Sequence, residues 1–445
     1  MKLVYDVKDK PKPLQVIVFA FQQLLAILAA TIVVPVIVGH GMSQAAALCG
    51  AGVGTLVYLA FTRFRSPVFL GSSFAFLGSM GAAFVEGFPE ERGYLGLILG
   101  AALAGLVYVI IAIAVKFAGV EWINKLMPKQ VIGPTVAIIG LSLAGNAIGD
   151  LKTGKVLVDG VSAANPLIAV LCGLIALFVV MICSVYGKKT AKLIPFIIGI
   201  LAGYAVAAIF TVIGLKTNNM SLQLIDFSVF KEMKFFSVPE FTFFKLGEGA
   251  KTFDGGYLAS VAMAYIPVAF VVFAEHIADH KNISSIIEKD LLEDPGLHRT
   301  LLGDGIGSMV GAFFGGCPNT TYGESIACVA ITGNASVITI LVTAIICIIM
   351  SFFSPFIIFL GSIPSCVMGG VCMALYGFIA VSGLKMVQKV DLEDNRNLFV
   401  VSAILISGIG GLALTFGKIT ITSVATALII GIIANIVLNL KKEKA

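Results

Sequence analysis

Four acids interrupt otherwise apolar stretches of the chain: Glu275, Asp279, Asp304 and Glu324. No lysine or arginine shares those stretches except Arg299, at the start of the one holding Asp304. An ionised carboxylate is costly to bury without a partner. Each must therefore be protonated, hydrogen-bonded by neutral donors, or matched to a ligand offering N–H groups. Glu275 and Asp279 are four residues apart and share one helix face. Glu324 follows Tyr322-Gly323 in the first turn of a helix, where the positive end of the dipole favours its charge. For Asp304 a second role competes, that of holding two helices together, and for Asp279, near a segment end, so does plain solvation. His276 and His280 flank the same region, and histidine is the side chain able to carry a proton near neutral pH; nothing in the sequence forces that role, and a helix-end histidine is ordinarily solvated. His40 and His298 read as loop residues. The eight cysteines are scattered with no C-x-x-C pair, so no metal site is expected.

The elements that must position these acids follow from composition. Of 445 residues, 58% are hydrophobic and only 12% charged, against about 25% charged in soluble domains. The chain reads as an all-α polytopic membrane protein. The net charge of +5 is spread over short loops, which argues against a nucleic-acid partner. About 20 residues span the 30 Å hydrocarbon core as a helix. Apolar windows fall at 15–38, 43–62, 74–88, 94–115, 131–149, 166–185 and 193–215, then at 258–279, 299–315, 323–333, 335–359, 365–384, 398–415 and 420–440. These fourteen form two groups of seven, separated by a long Phe-bearing connection at 216–256. Because seven is odd, the second group enters from the opposite side, and the repeat is inverted. Most of the 30 basic residues fall on one side when both termini, 1–14 and 441–445, are cytoplasmic and the connection is extracellular.

The third window of each group is too short to cross. Gly71-Ser-Ser-Phe-Ala-Phe-Leu-Gly78 and Pro318-Asn-Thr-Thr-Tyr-Gly-Glu-Ser325 each carry two hydroxyl residues, then an aromatic, then a small residue. Such segments are predicted to enter extended and turn helical near the midplane. Unpaired backbone cannot face lipid, so the two extended pieces must pair with each other. Their helices then aim free N–H groups at the bilayer centre. Interrupted spans at matching places in two halves mark a transporter's binding site.

At these residues the chain resembles the uracil permeases of the nucleobase/ascorbate transporter family. The resemblance runs along most of the chain, through Thr31-Ile-Val-Val-Pro35, Leu70-Gly-Ser-Ser-Phe-Ala-Phe76, Ala274-Glu-His276, Lys289-Asp-Leu-Leu-Glu-Asp-Pro-Gly-Leu-His-Arg299, Pro318-Asn-Thr-Thr-Tyr-Gly-Glu324 and Met368-Gly-Gly370. It implies a core domain of segments 1–4 (15–115) and 8–11 (257–359). It also implies a gate domain of segments 5–7 (131–215) and 12–14 (365–440), often within a homodimer. It implies substrate contacts from the Glu275 and Glu324 side chains and from backbone at Phe74 and Gly323, with Tyr322 beside them and Ala30 nearby. Proton coupling would rest on Glu275, Asp279 and Asp304, with no cofactor beyond the proton. Some uracil-type members have histidine where this chain has Asp279, and purine-type members more often have aspartate. Purine-type members usually carry glutamine at the position of Glu324, which keeps uracil ahead of xanthine or uric acid.

The expected function is therefore import of uracil with protons across the cell membrane, with the lipid bilayer as surroundings. Uracil is planar and neutral, with two N–H donors for carboxylates and two carbonyls for backbone N–H groups. A passive anion channel would need a basic ring, which the sequence lacks. No nucleophile–base pair or phosphate loop suggests an enzyme, and Gly305-Ile-Gly307-Ser-Met-Val-Gly311 fits helix packing better than a dinucleotide site.

Overall fold

The computed structural model describes residues 3–119, 127–158, 160–188, 190–231, 233–416 and 419–439. The 441–445 tail lies outside the described residues, as do three of the basic residues assigned to the cytoplasmic side, Lys2, Lys125 and Lys189.

The helices begin where the sequence supplies a cap or a proline. Helix α1 (Pro13–Val38) starts on proline, which has no N–H to leave unsatisfied. Helix α2 (Gln44–Phe61) starts where the Ser43 hydroxyl accepts from Ala46 N. Strand β1 (Leu70–Ser72) and a 3-10 turn at Phe74–Phe76 lead into the short α3 (Leu77–Ala83), followed by α4 (Glu90–Ala118). Next come α5 (Lys129–Ser142), α6 (Ala144–Asp150), α7 (Pro166–Tyr186) and α8 (Pro195–Thr217). The second half holds α9 (Gly255–Ile287), α10 (Leu297–Gly315), strand β2 (Asn319–Thr321) and α11 (Gly323–Thr332). It closes with α12 (Val337–Phe352), α13 (Ser365–Val387), α14 (Asn395–Ile409) and α15 (Ser423–Asn439). Among the described residues, eight helical stretches are long and apolar enough to cross a membrane, α5 and α6 counting as one.

Small residues set the closest approaches. Helix α10 packs against α2 and α4, and α13 against α5 and α7. A Cβ added at Gly307 would lie 2.8 Å from the Gly54 carbonyl oxygen, so these backbones touch where a side chain would part them.

The two broken segments meet as predicted. Strands β1 and β2 are antiparallel, with Leu70 opposite Thr321, Gly71 opposite Thr320 and Ser72 opposite Asn319. The ladder continues at both ends, where Ser73 N donates to Pro318 O (2.9 Å) and Tyr322 N to Phe69 O (3.2 Å). Neighbouring helices satisfy the remaining groups. The Thr55 hydroxyl accepts from Leu70 N at 2.9 Å, and Asn319 Nδ2 donates to Gly50 O at 2.9 Å. Tyr322 Oη donates to Ser72 O at 2.8 Å, and its ring lies where any Cβ at Gly71 would have to go.

Several segment ends differ from the sequence windows. The 258–279 window grows into α9, which runs on to Ile287, because charged residues leave the bilayer without ending a helix. The 335–359 window breaks at Phe353, and a second helix, Ser354–Ser362, restarts with Pro355 in its first turn. The 398–415 window stops being helical at Ile409. Gly411 takes a positive φ, and Leu414–Phe416 pairs with Ile419–Ile421 as a hairpin.

Residues 4–7 are tied to the second half of the fold. Val4 N donates to Gly333 O, Ala335 N to Tyr5 O and Val337 N to Val7 O, which fastens residues 4–7 across the junction of α11 and α12. Asp6 pairs with Lys289 beyond α9, and that hydrogen bond holds its carboxyl below the usual range. Protonating Asp6 at low pH therefore loosens the strap; its contribution is present above the ordinary carboxylate range and fades as pH falls through the lowered value.

Candidate functional site

The strand crossing floors a cavity of about 420 Å³, within the 300–1,000 Å³ usual for small-molecule sites. One wall is built from the broken elements and α9: Phe74, Glu275, Asp279, Thr321, Tyr322, Gly323 and Glu324. The opposite wall is mainly apolar, with Ile132, Val136 and Ile139 of α5, Phe196 of α8, and Phe378 and Met386 of α13, beside the one hydroxyl of Ser382. Ile132 and Phe196 lie near the starts of α5 and α8, and Met386 lies near the end of α13.

Helical spacing puts Glu275 and Asp279 on one side of α9, facing this space. Asp279 Oδ2 accepts from the Thr321 hydroxyl at 2.7 Å, which pins it to β2. Among the described residues, no other side chain hydrogen-bonds the carboxyl of Glu275 or Glu324. Helix α11 makes its first backbone bond from Ile326 N to Tyr322 O, so the amides of Gly323 and Glu324 precede the ladder. A Cβ at Gly323 would meet nothing within 4 Å, so this backbone faces open space. The site therefore offers carboxylate acceptors and amide donors around a flat apolar slot. Ser325 is fixed from behind: Gln23 Nε2 donates to its Oγ at 2.5 Å and Phe69 N at 3.1 Å.

The structure separates two residues from this group. Asp304 is only 1% exposed and lies behind the wall, with Oδ2 at 2.6 Å from His276 Nδ1. It joins α10 to α9, the helix-linking role left open by the sequence. Ala30 is also buried, packed among apolar neighbours of α1 and off the cavity wall. Phe74 lines the cavity with its ring edge-on to Tyr376, centroids 6.2 Å apart.

The histidines are not solvated, contrary to the ordinary expectation for helix ends. His276 and His280 are both fully buried. His276 Nε2 lies 2.9 Å from Thr300 Oγ1. His280 Nδ1 donates to His276 O at 2.8 Å, which leaves Nε2 to accept from Tyr58 Oη at 2.7 Å. Tyr58 is bonded in turn to Ser66 at 2.7 Å. Sequence reasoning also missed Thr321 as the anchor of Asp279, and the whole apolar wall. The hydroxyl pair at 320–321 was the available signal for the former; the latter had none.

Broken helices meeting at a mid-membrane cavity, in a mostly helical multi-pass fold, define a membrane transporter. The Xan_ur_permease profile, described as "Permease family", matches residues 14–416, and the chain belongs to this family of permeases, which are transport proteins rather than enzymes. It is 37% identical to the uracil permease of Bacillus caldolyticus, over 100% of this chain and 96% of that one. It is 35% identical to the uracil permease of Bacillus subtilis (strain 168), over 100% and 97%. Its fold matches the transmembrane domain of a cyanobacterium bicarbonate transporter, BicA, with a TM-score of 0.64 over 96% of this chain and 99% of that one. At 15% identity that match concerns the fold alone.

Proposed function

We propose that this permease imports uracil across the cell membrane together with protons, by alternating access. The observation that carries the reading is the pairing of two carboxylates, Glu275 and Glu324, with the leading amides of α11 in a cavity whose far wall is apolar. Carboxylates accept from the two ring N–H groups, amides donate to a carbonyl, and the apolar wall covers the ring face. Full-length relatives named as uracil permeases support the same substrate.

In this reading each strand–helix unit counts as one segment, giving fourteen in two inverted sets of seven. Segments 1–4 and 8–11 form the core that carries the carboxylates. Segments 5–7 and 12–14 form the gate that supplies the apolar wall, within a homodimer. With both termini cytoplasmic, the starts of α5 and α8 and the end of α13, which carry Ile132, Phe196 and Met386, fall on the cytoplasmic side, and the cavity opens inward. Core and gate then move relative to each other to expose the site outward. One proton falling through 100 mV provides about 2.3 kcal/mol, enough for roughly fifty-fold accumulation.

The test is uptake of labelled uracil into membrane vesicles with an imposed pH gradient, challenged with a panel of unlabelled bases. Uracil should compete and xanthine should not, and a protonophore should abolish accumulation. Competition by xanthine alone would replace the substrate assignment, and gradient-independent equilibration would remove the coupling.

Asp279→Asn separates binding from coupling. Asparagine retains an oxygen to accept from Thr321 but cannot take up a proton. Uracil affinity is expected to stay within about threefold, under 1 kcal/mol, while accumulation driven by the pH gradient is lost. An unaltered pH dependence of uptake would take Asp279 out of the proton path.

A further inference from the structure

Behind the strand crossing lies a second, small void of about 10 Å³, lined among others by Tyr108 of α4, Asp304 and Ser308 of α10, and Asn319 and Thr320 of β2. Thr320 lines both this void and the main cavity. Three oxygens around the void have no hydrogen-bond partner in the protein: Tyr108 Oη, Asp304 Oδ1 and Asn319 Oδ1. All three residues are buried, at 4%, 1% and 1% exposure. The remaining polar atoms of the two side chains are already committed, Asp304 Oδ2 to His276 and Asn319 Nδ2 to Gly50 O.

We infer that this void is a binding site for a single water molecule, which joins Asp304 to the substrate-bearing strand. The volume matches the roughly 10–15 Å³ one water requires, and buried waters make about three hydrogen bonds. The donor count also closes. Asp304 Oδ1 and Asn319 Oδ1 are acceptors and Tyr108 Oη has a proton to give. A water donates to the first two and accepts from the third, leaving none of the four groups unmatched. A monovalent cation of similar size would satisfy the two acceptors but leave the tyrosine proton without an acceptor.

The consequence is a continuous link from the buried histidine to the site. It runs from His276 to Asp304, through the water to Asn319, and two residues along β2 to Thr321, which holds Asp279. Asp304 acts on the strand through this link without lining the cavity.

Tyr108→Phe tests the site by the sign of its effect. With the water in place, the tyrosine hydroxyl is a satisfied donor, and its loss lowers the thermal midpoint of the purified protein by a few degrees. With the void dry, the same change removes a buried unpaired hydroxyl, so an unchanged or raised midpoint overturns the proposal. Wild-type midpoints in sodium and in choline buffers should coincide, and a sodium-dependent rise would assign the void to a cation instead. A density map sharp enough to show ordered solvent should place one peak within hydrogen-bond distance of all three oxygens. An empty void in that map also refutes the site.

Discussion

Replacing Glu324 by glutamine is expected to weaken uracil binding by about 10- to 150-fold, with the protein still folded. The range follows from the 1.5–3 kcal/mol carried by a hydrogen bond to a charged group, converted at 1.4 kcal/mol per decade. Glu324 stands at the start of α11, where the helix dipole supports a negative charge, and its carboxyl bonds no other side chain among the described residues. Its partner in the proposed complex is a ring N–H of the base. Glutamine keeps the size and one acceptor oxygen, loses the charge, and adds an N–H₂ that faces a donor in one of its two orientations. Because no other side chain among the described residues bonds this carboxyl, the thermal midpoint without uracil should not fall. Calorimetric titration with uracil, alongside melting curves of both proteins, reads the two quantities separately. Wild-type affinity in the variant would withdraw Glu324 from the substrate contacts, whereas a collapse of the apo midpoint would recast it as a structural residue.

How much of this site could be read in advance depends on whether a residue's environment is announced locally. The strand pairing could be, because a segment too short to cross lipid must enter extended, and two such segments at matching places have only each other to bond. The cavity acids could be as well, since a carboxylate inside an apolar run has few reasons to persist. The partners of the histidines could not. His276 meets Asp304 28 residues away, and Tyr58 meets His280 222 residues away, and no periodicity encodes such contacts. Nor could the apolar wall, because Ile139 and Phe378 look like any lipid-facing residue of a span. Helix ends failed for a related reason. Charge marks where a segment leaves the bilayer, but α9 stays helical to Ile287 in spite of it, while α14 ends at Ile409 and gives way to glycines and a pair of short strands although its window runs on to 415. The resemblance placed Ala30 near the substrate; in the fold it is buried and does not line the cavity.

The strand crossing is the feature on which the site rests, and Ser73→Pro should disable it. Ser73 has φ −80° and ψ 124°, a conformation that proline adopts without strain, and Ser72 before it is already extended, as a residue preceding proline prefers. The substitution therefore suits the local backbone dihedrals but removes the N–H that donates to Pro318 O at 2.9 Å. In the middle of the protein that carbonyl has no water to turn to, and an unsatisfied backbone group in such surroundings costs several kcal/mol. The proline ring carbon, placed where the amide hydrogen was, also presses against the same oxygen and spreads β1 from β2. Leu70 and Thr321 lie at the other end of a ladder only three residue pairs long, so little remains to hold Thr321 against Asp279 or Gly323 in its place. The expected result is loss of measurable uracil binding together with a strongly reduced yield of folded protein. Ser73→Ala is the control: it deletes the hydroxyl but keeps the amide, and should fold and bind nearly as the wild type does. If the proline variant bound uracil as tightly as the alanine one, the amide–carbonyl bond across the crossing would carry no weight, and the half-helices would owe their positions to side-chain packing alone.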